Sequence, residues 1–151
     1  MSYVTLQAAT QVILQNVTGF LDSTNVTLGD YGVLDQGEDH CAVLHASLVM
    51  DAGTAARQTD REYHILVDLF RRWLNDSDTL QLFAVFRDAV LAQLDAYPTL
   101  NLSGTVRVMG VGADNEPLHV DDSNGQGPFF VMQRIRVRVR ENVMQTGGEY
   151  A

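Results

Sequence analysis

His40, Cys41 and His45 sit in one short run of the chain, and a thiolate with imidazole nitrogens is a set of ligands that zinc accepts. If the run is a strand, Cys41 and His45 share a face while His40 points the other way. Zinc needs four converging donors, and the only other histidines are the isolated His64 and His119. No metal centre is expected. Cys41 as a nucleophile would need a histidine base beside it. A lone cysteine is more often a small buried hydrophobe, so no catalytic residue and no cofactor are assigned. Gly110, Gly112, Gly125 and Gly127 lack the Gly-Lys-Ser/Thr element of a phosphate loop and read as hairpin-loop or bulge residues. Asp114, Glu116, Asp121 and Asp122 share one polar stretch but match no calcium-loop spacing. They form either a solvated loop or one that contacts a partner or repels DNA.

The clearest chemistry in the sequence is recognition. From Gln133 to Arg140 cationic and apolar residues alternate without a slip. Strand side chains alternate between faces, so Ile135, Val137 and Val139 share one face and Arg134, Arg136, Arg138 and Arg140 share the other. The apolar row requires a core. The guanidinium row requires water, acids of the same chain, or acids of a neighbour, because adjacent like charges on a strand repel. Reversing Arg136 and Arg138 to glutamate is expected to leave folding near wild type and to impair assembly.

The chain has 151 residues, a net charge of −9 and 46% hydrophobic residues, which fits one globular domain. One domain over residues 1–143 is expected, followed by a flexible tail over 144–151. The acidic balance argues against a dedicated nucleic-acid binder. It does not exclude a protein that must repel DNA, such as the wall of a DNA conduit. All ten basic residues are arginine; coding bias and selection for bidentate interface contacts both account for that. One cysteine excludes an intrachain disulfide and fits a reducing compartment. No signal peptide or membrane span is expected.

The elements that must position these residues follow from periodicity. Residues 3–21 read as a helix on Leu6, Ala9, Ile13, Val17 and Phe20. Short strands are expected at 29–37 and at 41–50, the second broken by 51–55. Residues 61–73 are ambiguous; a strand is preferred, with Tyr63, Ile65, Val67 and Leu69 on one side. Asn75–Asp78 offers caps for a helix over 79–97, which Pro98 ends. Strands at 104–112 and 129–143 flank a polar loop over 113–128. The order is α-β-β-β-α-β-β: an α+β fold with a mixed or antiparallel sheet of four to five strands and two helices packed on one face.

This order, the small size and the acidic loop together resemble the tail-terminator and tail-completion proteins of long-tailed bacteriophages. Three segments carry the resemblance: Glu62–Trp73 with its alternating apolar residues, the helix Asp78–Tyr97, and the strand pair Gly104–Gly112 and Phe129–Val143. The resemblance implies a non-enzymatic virion structural protein at the head–tail junction, assembled in the host cytoplasm. Such a protein forms a hexameric ring on the tail tube protein, ends tube polymerisation and docks the head–tail connector, with genomic DNA passing through the lumen unbound. On that reading Arg134, Arg136, Arg138, Arg140, Asp114, Glu116, Asp121 and Asp122 would face subunits or partners. The alternatives are another neck or tail-tube adaptor, or a small-molecule-binding or enzymatic domain built on His45, His64, Asp68 and Cys41.

Overall fold

The computed structural model describes residues 3–29, 39–55, 58–72, 76–102, 106–120 and 130–144. Helix α1 is Tyr3–Leu14 and helix α2 is Asp76–Asp95; the strands are β1 Val26–Leu28, β2 Asp39–Ala55, β3 Gln58–Arg72, β4 Val106–Ala113, β5 Leu118–Val120 and β6 Phe130–Met144. The sheet runs β1-β2-β3-β6-β4, with β5 also paired to β6. Among the described strands only β1 lies parallel to its neighbour, so the sheet is mixed. The fold is α+β in the expected order, with the three-residue β5 as an addition inside the stretch read as a loop.

Both helices cover one face. Leu6, Ile13 and Leu14 of α1 and Phe83, Phe86, Val90 and Leu94 of α2 join Tyr63, Ile65, Val67 and Leu69 of β3 and Ile135, Val137 and Val139 of β6 in one core. The two-residue period of β3 and β6 therefore sets which face is dry, and residues 61–72 are strand rather than helix. Burial at this interface is the main driving force for the layer.

Several boundaries differ from the sequence reading, each for a local reason. α1 ends at Leu14 instead of reaching residue 21. The Asn16 side chain bonds the Val12 carbonyl, and Gly19 adopts a φ of 87°. Val17 and Leu21 are still buried, so the apolar spacing persists while the backbone turns. The first described strand is Val26–Leu28, ended by Gly29 at φ 86°; the strand expected at 29–37 falls on residues 30–38, which lie outside the described ones. β2 does not stop at Met50. Asp51, Ala52 and Gly53 pair with Arg61, Asp60 and Thr59, and three register shifts along the ladder absorb the irregular residues. Of the expected tail, Met144 closes β6 and 145–151 lie outside the described residues.

At about 3.3 Å per residue β2 spans about 55 Å, against about 30 Å for α2 at 1.5 Å per residue. The β2–β3 hairpin, backed by the end of β6, thus outruns the helical layer. After α2, Leu100 and Asn101 take left-handed φ values of 52° and 55°. That conformation costs a non-glycine residue about 1–2 kcal/mol. Leu100 is almost fully buried, and that burial offsets the cost.

Candidate functional site

The arginine row lies on the sheet face away from the helices, as the alternation requires. Ile135, Val137 and Val139 are fully buried, while Arg138 keeps half of its side chain exposed. Register sets what each guanidinium meets. On β3 Asp68, Leu66, His64 and Glu62 stand opposite Arg134, Arg136, Arg138 and Arg140, and on β4 Gly112, Gly110 and Arg107 stand opposite the last three.

Three of the four arginines find acids of their own chain. Arg134 grips Asp68 in a two-pronged contact, Nε to Oδ1 at 2.8 Å and Nη2 to Oδ2 at 3.1 Å, and Asp68 is fully buried. Arg136 donates to both Asp114 oxygens, from Nε at 2.9 and 3.0 Å and from Nη2 at 2.7 Å. Its Nη1 also lies 2.8 Å from His64 Nδ1. A guanidinium only donates, so Nδ1 accepts and the imidazole proton sits on Nε2, which donates to Glu62 Oε2 at 2.8 Å. Arg138 reaches the other Glu62 oxygen at 3.6 Å. From Arg136 onward each guanidinium leans one step diagonally along β3. The next acid in that series, Asp60, is held by Asn142 at 2.6 Å, and among the described residues Arg140 has no ion pair.

The face is thus far from a bare cationic strip. Compensation comes largely from acids of the same chain, one of the sources the sequence left open. Reversing Arg136 would break its Asp114 and His64 contacts, so the expectation that both reversals spare the fold holds better for Arg138 than for Arg136. At the other end of this face, Ala42, Phe70 and Phe130 form a second buried apolar cluster with Leu44, Val120 and Met132.

The acidic loop residues separate. Asp114 and Glu116 are exposed, and Asp114 closes onto Arg136, while Asp121 and Asp122 lie outside the described residues. Sequence reasoning missed how Asp114 gets there. β4, residues 114–117 and β5 run successively along β6; Asp114 N–H donates to the Arg134 carbonyl at 2.8 Å, and Asn115 Oδ1 accepts from Arg134 N–H at 2.9 Å. Asn115 thereby stands in for a strand partner. The signal available was the apolar Leu118 and Val120 at a spacing of two.

The network fixes the charge state of its carboxylates. The hydrogen bond from Arg136, aided by that residue's charge, holds Asp114 below the usual carboxylate range against an opposing desolvation. The His64 hydrogen bond does the same for Glu62, with help from Arg138 and again against desolvation. Carboxylates with lowered folded values contribute stability that is complete above their unfolded values and lost as pH falls through the folded ones. Urea midpoints should therefore stay flat from pH 7 to about pH 5 and decline below about pH 4. Asp114→Asn should flatten part of that decline. A decline below pH 4 as steep in Asp114→Asn as in wild type would overturn the assignment to that carboxylate.

Of the residues with catalytic potential, Cys41 does not meet His64 or Asp68, and the side chain of His45 lies outside the described residues. Cys41 is buried in the helix-covered core, and burial, then the Asp68 charge, pushes its thiol well above the ordinary range. His64 and Asp68 lie on the opposite face. His40 is buried against the Phe70 ring, with Nε2 3.3 Å from Thr27 Oγ1. Among the described residues no three His, Cys, Asp or Glu side chains group as metal ligands. Among them, too, no helix is long and apolar enough to cross a membrane. What the site offers chemically is a set of fixed charges and forked donors, the equipment of recognition. Set against known proteins, the chain matches no family model and no curated sequence.

Proposed function

We propose that this chain is a virion structural protein of the phage head–tail junction, which forms a ring on the end of the tail tube, ends its polymerisation and docks the head connector. The observation that carries the reading is the sheet itself. Its long central strands are gripped on one side by both helices and carry on the other an ion-paired, guanidinium-rich face. The order of elements is the one expected of tail terminators. Subunits that repeat one head-to-tail contact close into a ring when the rotation allows. Charge complementarity across that contact sets register more than affinity. The overall charge of −9 keeps passing DNA from adhering to the lumen.

Electron micrographs and native mass of the purified chain, alone and mixed with tail tubes, test this reading. The expected result is a ring of about six subunits, free or seated on tube ends, and tubes that stop growing once capped. A chain that neither forms rings nor caps tubes, at any concentration, would sink it.

A further inference from the structure

Among the described residues strand β4 is an edge of the sheet and pairs only with β6. The turn after α2 covers that edge at one point, where Val108 N–H donates to the Pro98 carbonyl at 2.7 Å. From Met109 to Ala113 no described backbone group bonds its outer side. These five residues contain no charge and no proline, the two devices that normally blunt an edge, and Met109 is half exposed. An edge in this state is a template for a strand from another chain.

Beside the edge the sheet face opens into a trough of about 260 Å³ between residues 110–114 and the side chains of Arg136 and Arg138. A Cβ placed on Gly110 or Gly112 would meet nothing within 4 Å, and neither residue has a positive φ. Neither conformation nor internal packing therefore calls for glycine, although glycine weakens a strand. The open space has a use if a further strand lies outside β4. Adjacent strands are about 4.8 Å apart, so that strand would run about 10 Å from β6. An acidic side chain and an arginine meet across that gap when the intervening positions carry no side chain.

The charge agrees. Here the guanidinium groups of Arg107, Arg136, Arg138 and Arg140 stand with the carboxylates of Asp114, Glu62 and Asp60, a small local positive excess on a chain of net charge −9. The rest of any copy is accordingly more acidic than the whole.

We infer that the β4 edge and the trough over Gly110 and Gly112 receive an extended, carboxylate-bearing segment of a second copy of this chain. Its backbone pairs with residues 109–113 and its acids reach the half-exposed Arg138 across Gly110. The inference rests on the ring reading and supplies that ring's contact.

Gly112→Val tests it. In the isolated chain the new side chain enters open space on a strand, so the melting temperature should hold or rise. Its self-association by analytical ultracentrifugation, alone and on tail tubes, should weaken by at least about tenfold. Gly112→Cys gives a second readout. Native Cys41 is buried, so a maleimide should modify position 112 alone, and assembly should slow that labelling by about tenfold. Rings or capped tubes formed equally well by Gly112→Val would overturn this contact and leave the ring reading standing. Labelling unaffected by assembly, or slowed only by a different tail protein, would also overturn it. If wild-type copies never associate, this contact fails, and tube capping alone then decides the ring reading.

Discussion

Truncating Phe86 to alanine is expected to remove about 3–5 kcal/mol of folding stability, a large part of the about 5–15 kcal/mol of a typical domain. Phe86 is fully buried where α2 meets the turn after α1. Its ring lies 5.5 Å from Phe20 in a stacked pair and 6.1 Å from Phe83 edge to face. Alanine loses the transfer free energy of the ring and leaves a cavity among neighbours held by both the helix and the sheet. The aromatic pairs add about 0.5–1.5 kcal/mol beyond buried area. Urea unfolding at neutral pH, with the slope unchanged, is the measurement. A loss under 1 kcal/mol would mean that α2 collapses onto the gap and that the core is looser than the burial of Phe83, Phe86 and Leu94 implies. Phe83→Ala should cost a similar amount, and the two losses should not add, because the rings touch.

What the sequence showed and what it concealed divide along physical lines. Strand β6 was legible because its period of two carries charge on one side and β-branched residues on the other, and a slip by one residue would bury guanidinium groups. Tyr63, Ile65, Val67 and Leu69 were legible for the same reason. The end of α1 was not, since Val17 and Leu21 keep helical spacing while Asn16 and Gly19 turn the backbone. Nor was the continuation of β2 through Asp51–Ala55, because a register shift depends on the partner strand and leaves no local mark. Of the candidate surface, the placement of the four arginines on one face followed from pattern alone. Their partners did not. Asp68 was read only as one polar group of an alternative pocket with His45, His64 and Cys41, and Asp114 only as a loop acid, whereas cross-strand register gives each a specific guanidinium. That register is a tertiary fact, fixed by how far β3 and β4 slide along β6.

Asp68→Ala is expected to cost about 3 kcal/mol, because it leaves Arg134 without the carboxylate that fills both prongs of its fork. Removing one member of a buried pair typically costs about 3–5 kcal/mol. The lower end applies here, since a third of the Arg134 side chain is in water while Asp68 is fully shielded. Desolvating a carboxylate is expensive in itself, so the pair as a whole need not stabilise the fold. This gives the sharper test. Asp68→Leu combined with Arg134→Leu replaces both charges by apolar groups at opposed positions on β3 and β6, beside the buried Ala42 and the partly buried Met132. The double variant should return to within about 1 kcal/mol of wild type, and the coupling between the two sites should reach at least about 1.5 kcal/mol. A double variant no more stable than Asp68→Ala would show that Asp68 is needed for contacts other than Arg134. The measured coupling thus separates two roles for the ion pair: holding the sheet together, or fixing the register in which Arg136, Arg138 and Arg140 are presented along the strand. If it fixes register, the double variant should fold with near-normal stability and yet show altered spacing of this face, seen as a lost Arg136–Asp114 contact in its structure.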